Sequence, residues 1–134
     1  EKRKLMEVTK QVLDIAISNA SSGVKWSSIA SKMQQHAESA GFGVVTEFVG
    51  HGIGKEMHED PKVPNYVSSE LLNDDILLVE GMVLAVEPMI NIGTSATRTL
   101  KDGWTVVTKD GKSSAHFEHT IAILENGCEI LTLE

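Results

Sequence analysis

A carboxylate inside an apolar strand narrows the folds open to a chain more than any other single feature, and this chain has two. Residues 83–90 read Val83-Leu84-Ala85-Val86-Glu87-Pro88-Met89-Ile90, and residues 116–124 read His116-Phe117-Glu118-His119-Thr120-Ile121-Ala122-Ile123-Leu124. Both runs are short, apolar and rich in β-branched residues, the pattern of buried strands. An ionised carboxylate in such a place costs on the order of several kcal/mol unless a cation or hydrogen-bond donors answer it. A fold that keeps both glutamates must bring something positive to them.

Upstream, a histidine is set between glycines in Gly50-His51-Gly52-Ile53-Gly54, and a second follows at His58. Two inward carboxylates and an imidazole form a ligand set for a hard-to-borderline divalent metal ion. The glycine run is not a phosphate loop. It lacks the spacing of a Walker or dinucleotide fingerprint, and no helical pattern follows it. Its glycines instead give the backbone room to aim His51 inward. Nor is Met57-His58-Glu59-Asp60-Pro61 a zinc helix, since Pro61 and Val63 stand where the second histidine would be needed.

Each of these residues has an ordinary reading when taken alone. His51 and His58 are then solvated loop histidines, Glu87 the acid at the end of an edge strand before Pro88, and Glu118 one arm of a cross-strand ion pair. Their joint occurrence favours the metal.

The remaining sequence sets the frame around them. Leu5, Val8, Val12, Ile15, Ala16 and Ala20 form one stripe over residues 4–20, an amphipathic helix. Trp26, Ile29, Ala30, Met33, Ala37 and Ala40 repeat at helical spacing from a Ser27/Ser28 cap to a stop at Gly41. Residues 44–49 read as a strand, and residues 55–75, with Pro61 and Pro64, as a long loop. Strands are expected at 76–79, 98–100, 104–108 and 129–133, beside the two that carry Glu87 and Glu118. Lys101-Asp102-Gly103 and Glu125-Asn126-Gly127 are hairpin turns, and Asp110-Gly111 turns the chain toward the Glu118 strand. Two helices followed by hairpin-linked strands predict an α+β fold, helices on one face of an antiparallel sheet, with residues 1–134 as one domain.

Composition excludes some functions. A net charge of −7 argues against a nucleic-acid surface. No apolar run reaches the roughly 18 residues of a membrane helix, and no secretory leader pattern is read. The single cysteine, Cys128, is expected to be a small buried hydrophobe in a reducing, cytoplasmic compartment.

Five ordered motifs then carry a resemblance. Phe48-Val49-Gly50-His51-Gly52-Ile53-Gly54, Met57-His58-Glu59-Asp60-Pro61, Val86-Glu87-Pro88-Met89, Lys101-Asp102-Gly103-Trp104-Thr105 and Phe117-Glu118-His119-Thr120 follow one another as in the C-terminal half of a type I methionine aminopeptidase. The resemblance covers essentially the whole chain. It implies half of a duplicated "pita-bread" fold, whose complete site holds two divalent ions (Co, Mn, Fe or Zn) between two α+β halves. Of the implied ligands, His51, Glu87 and Glu118 match the second half, with Glu118 bridging. Glu87 also matches a proton acceptor, and His58 the histidine beside the scissile amide. Met89 and Trp104 match the methionine pocket and its approaches.

Met57 stands where a phenylalanine is usual and His116 where glutamine is common; both are expected to border the pocket. The implied substrates are peptides with N-terminal methionine. Two aspartate ligands and a further histidine belong to a first half that these residues do not include. At most one ion is therefore expected here, with little activity unless a complementing half or a second copy joins. The competing expectations are a non-catalytic peptide- or protein-binding half-domain and a proline-specific member of the same superfamily.

Overall fold

A computed structural model describes residues 1–133. The two expected helices are present as α1 (Lys2–Asn19) and α2 (Trp26–Ser39), each burying one stripe. Leu5, Val8, Val12, Leu13 and Ala16 of α1 face Trp26, Ile29, Ala30, Met33 and Ala37 of α2 and the sheet behind them. The one polar residue in the α1 stripe, Thr9, donates its hydroxyl to the Leu5 carbonyl at 2.7 Å, so it is buried without an unmet hydrogen bond.

α2 is not capped by its own serines. Its N-cap is Lys25, and the cap is supplied from a distance by Asp75, whose carboxylate accepts from the Ser27 amide at 3.0 Å and the Ser27 hydroxyl at 2.6 Å. At the other end Gly41, with φ at +85°, terminates the helix as expected.

The strands are β1 (Gly43–Val44), β2 (Gly50–Gly52), β3 (Glu59–Val63), β4 (Val83–Val86), β5 (Met89–Asn91), β6 (Thr97–Thr99), β7 (Val106–Thr108), β8 (Ser114–His116), β9 (His119–Leu124) and β10 (Gly127–Ile130), with a short helix α3 (Ser69–Asn73) between β3 and β4. They form a five-stranded sheet in the order β10-β9-β4-β2-β3, a three-stranded sheet β1-β5-β8 and the hairpin β6-β7. Every pairing is antiparallel. In the central strands, Leu84, Val86, Ile121 and Ile123 alternate onto the helix side and are buried there.

Several local expectations are corrected. The segment 55–75 is not one loop. It contains β3, an edge strand whose Glu-Asp-Pro-Lys-Val sequence hides it because only Val63 reaches the core, and α3, capped by the Ser68 hydroxyl accepting from the Leu71 amide. Residues 44–49 are not one strand: β1 pairs with β5 in one sheet, β2 with β4 in the other, and the residues between cross from sheet to sheet.

Residues 76–79 make no ladder beyond a single bridge between Lys25 and Leu77. Their backbone instead bonds the turn between α1 and α2, from the Trp26 amide to the Ile76 carbonyl and between Gly23, Val24 and Leu78. Neither glutamate lies within a strand. Glu87 falls between β4 and β5, and Glu118 between β8 and β9.

Candidate metal centre

Those two interruptions face each other. β4 pairs with β9, placing Val86 opposite His119, and β5 pairs with β8, placing Met89 opposite His116. The register is the same on both sides, so β4–β5 and β8–β9 are two legs of one bent ribbon, and it carries Glu87 opposite Glu118. Pro88 has no N–H to give to the ladder. Only the return bond remains, from the Phe117 amide to the Pro88 carbonyl at 3.4 Å. The break is thus a property of Glu-Pro in a strand.

His51 reaches the same face from β2. It pairs with Ala85, two residues before Glu87, so the imidazole and the carboxylate project on one side, away from the helices. The flanking glycines make this possible by close approach. A Cβ on Gly50 would come within 2.2 Å of the Ala85 carbonyl oxygen, and one on Gly52 within 2.4 Å of the Asp60 carbonyl oxygen. The His51 Nδ1 lies 2.9 Å from the Gly52 carbonyl oxygen, which can only accept. Nδ1 therefore carries the proton, and in the neutral ring Nε2 keeps its lone pair, directed at Glu87 Oε1 3.5 Å away. The His58 ring stands 4.1 Å from the His51 ring, centre to centre.

Glu87 lies between two imidazoles, since its Oε2 is 3.4 Å from His116 Nε2. Ligand atoms of Glu87, His116 and Glu118 all fall within 4.8 Å of one another. Glu87 and His51 are mostly enclosed, with side chains 16% and 15% exposed, whereas the His116 side chain is 46% exposed. The Glu87 carboxylate 3.4 Å away raises the His116 pKa above its usual value, joined by the charge of Glu118 and opposed by partial burial. Behind the site, buried Asn65 donates from Nδ2 to the Glu87 carbonyl at 3.4 Å, steadying the break.

A cleft of about 510 Å³ opens beside these residues, lined by His51, His58, Glu87, Met89 and His116 together with Asn91, Val45, Phe48 and the wall of β7. A larger groove, about 660 Å³, lies along β3 and α3 and has no imidazole in its lining. Of the residues expected at a substrate pocket, Met89 and His116 line the cleft. Met57 and Trp104 do not: they are 73% and 89% exposed, with no facing wall among the described residues.

Trp104 stands on the tip of the β6-β7 hairpin. There Asp102 accepts from the Thr105 hydroxyl at 2.6 Å and from the Trp104 and Thr105 amides, which hold its carboxyl below the ordinary range, the hydroxyl most strongly. From sequence, His116 is expected only at the pocket wall. The signal that it also belongs with the acids is the His-x-Glu spacing of His116 and Glu118, which puts both on one side of an extended chain facing Glu87.

Comparison with known proteins agrees with this architecture. Residues 1–125 match the model of metallopeptidase family M24. A methionine aminopeptidase of Clostridium acetobutylicum is 50% identical over 133 residues, covering 99% of this chain and 52% of the relative. The crystal structure of methionine aminopeptidase from Thermotoga maritima superposes with a TM-score of 0.92 at 45% identity, over 98% of this chain and 52% of the other. A prolidase from Pyrococcus furiosus gives a TM-score of 0.70 at 26% identity, over 100% of this chain and 33% of the other. The chain thus spans about half the length of the curated relatives it matches, and its fold is that of the pita-bread enzymes.

Proposed function

The chain belongs to metallopeptidase family M24, and on that premise we propose that it supplies the second half of a methionine aminopeptidase, which removes N-terminal methionine from peptides. The observation that carries this reading is the facing pair Glu87 and Glu118 at the strand break, with His51 and His116 beside it. Carboxylate oxygens and imidazole nitrogens in that mixture suit first-row divalent ions such as Co, Mn, Fe or Zn. In this reading His51, Glu87 and Glu118 hold metal, one ion on this chain and two in a site completed by a first half, with residues 1–134 forming one of two duplicated units.

Bound divalent ions would supply Lewis acidity toward the scissile carbonyl and toward water. The residues of the chain do the rest. Glu87 accepts a proton from the attacking water and returns it to the leaving amine. His58, on the rim of the cleft, donates a hydrogen bond to the carbonyl oxygen as negative charge gathers there. Met89 and His116 border the methionine side chain, and Met57 and Trp104 close over it once a complementing half provides the opposite wall. A thioether gripped by apolar and sulfur-bearing side chains gives selectivity for methionine.

The cytoplasm is the proposed compartment. No helix among the described residues is long and apolar enough to cross a membrane.

The test is complementation. The chain alone should release almost no methionine from Met-initiated peptides. Mixed with the separately produced first half of a full-length relative and Mn²⁺, it should do so, and less well from Pro- or Ala-initiated peptides. A mixture with no activity, or one that prefers proline, overturns the reading. Strong activity of the chain alone overturns the need for a complement.

A further inference from the structure

We propose that His116 is itself a metal ligand, and that Glu87, His116 and Glu118 together form a one-ion site built wholly on this chain. The idea rests on the reading of Glu87 and Glu118 as metal ligands, and goes beyond it by moving His116 from the pocket wall into the ligand set.

The distances argue for it. An imidazolium paired with a carboxylate closes to about 2.7–2.9 Å. His116 Nε2 instead stays 3.4 Å from Glu87 Oε2, as His51 Nε2 stays 3.5 Å from Oε1. Donor atoms at the corners of a tetrahedron around a first-row ion, with bonds of about 2.1 Å, are roughly 1.6 bond lengths apart, or about 3.4 Å. The Glu87–His116 spacing thus fits two ligands of one ion, and a Glu118 oxygen lies within 4.8 Å of both.

The register argues the same way. Glu87 and Glu118 are carried opposite each other by the continuous ladder, where like charges repel unless a cation lies between them. His116 stands two residues before Glu118 on the same leg, and ligand atoms of all three meet within 4.8 Å. The outer side of His116 is open, which leaves room for water to complete the coordination.

The two oxygens of Glu87 separate this site from the one implied by the resemblance. Oε1 faces His51 and Oε2 faces His116, so an ion on the His116 side uses an imidazole that a glutamine at this position could not supply.

Binding of Cu²⁺ and Co²⁺ to the chain tests the assignment without reference to activity. Wild type should bind Co²⁺ with the stronger visible absorption of a near-tetrahedral ion, and Cu²⁺ with nitrogen hyperfine splitting in its paramagnetic resonance spectrum. His116→Gln should weaken Co²⁺ binding by roughly 100-fold and remove one coupled nitrogen, while far-ultraviolet circular dichroism stays unchanged. Glu118→Ala should weaken binding comparably. His51→Gln should leave the His116 nitrogen coupling in place.

A His116→Gln variant that binds Co²⁺ as wild type does overturns the proposal. So does nitrogen coupling that survives His116→Gln and vanishes in His51→Gln, and so does a wild-type chain that takes up neither ion. The first two results leave the aminopeptidase reading untouched, since it stands or falls on methionine release by the complemented enzyme; failure of the wild-type chain to take up either ion also removes the one-ion part of that reading.

Discussion

The two faces of the central sheet are built on opposite principles. Toward α1 and α2, Leu84, Val86, Ile121 and Ile123 are at most 1% exposed and meet a helix stripe anchored by Trp26, also fully buried, whose indole N–H donates to the Pro64 carbonyl at 2.7 Å. Away from the helices, β2 presents His51, and the breaks that follow β4 and precede β9 present Glu87 and Glu118, with His116 alongside. One face is packed against the helices, and the other carries candidate ligands that line an open cleft. The lesson is that folding and chemistry are carried on opposite sides of one ribbon, so each can be damaged with limited harm to the other.

The sharpest way to break this separation is on the helix side. Trp26→Ala should cost about 3–5 kcal/mol, read as a large fall in the urea midpoint, and should abolish metal binding only by unfolding the chain. Gly50→Ala attacks the point where the faces meet. Its new Cβ would press on the Ala85 carbonyl, and displacement of β2 from β4 should cost about 1–3 kcal/mol while pulling His51 away from Glu87; calorimetric Mn²⁺ titration beside a denaturation curve measures both.

Asp75→Ala removes the distant cap of α2 and should cost about 1 kcal/mol, with metal binding by the folded protein unchanged. Loss of metal affinity in that variant would show that the two faces are coupled.

The smallest effect belongs to the β6-β7 hairpin. The Asp102 carboxyl is held below its ordinary pKa by Thr105 and the neighbouring amides, so its contribution is present above that ordinary value, about 3.9, and is lost as pH falls through the lowered folded value. Acidification below about pH 4 should therefore alter the fluorescence of exposed Trp104 in wild type. Asp102→Asn should already show the altered signal at neutral pH.

The contrast between the faces also explains what the sequence made legible. The α1 and α2 stripes, the hairpin turns and the two glutamates could all be read, because each is a local pattern of period 3.6, period 2 or turn chemistry. Residues 59–63 escaped because an edge strand with one buried residue has no apolar alternation to recognise. The Ser27/Ser28 cap was misassigned because the true acceptor, Asp75, lies 48 positions away. For His116, the His-x-Glu spacing shows only that it shares a side with Glu118; its place beside Glu87 depends on the pairing of β5 with β8.

Pro88 marks the seam between the two sheets. It leaves a single backbone bond across the ribbon at the point where the five-stranded and three-stranded sheets join. The two sheets therefore meet at a thinly bonded seam, and the facing carboxylates of Glu87 and Glu118 sit on it.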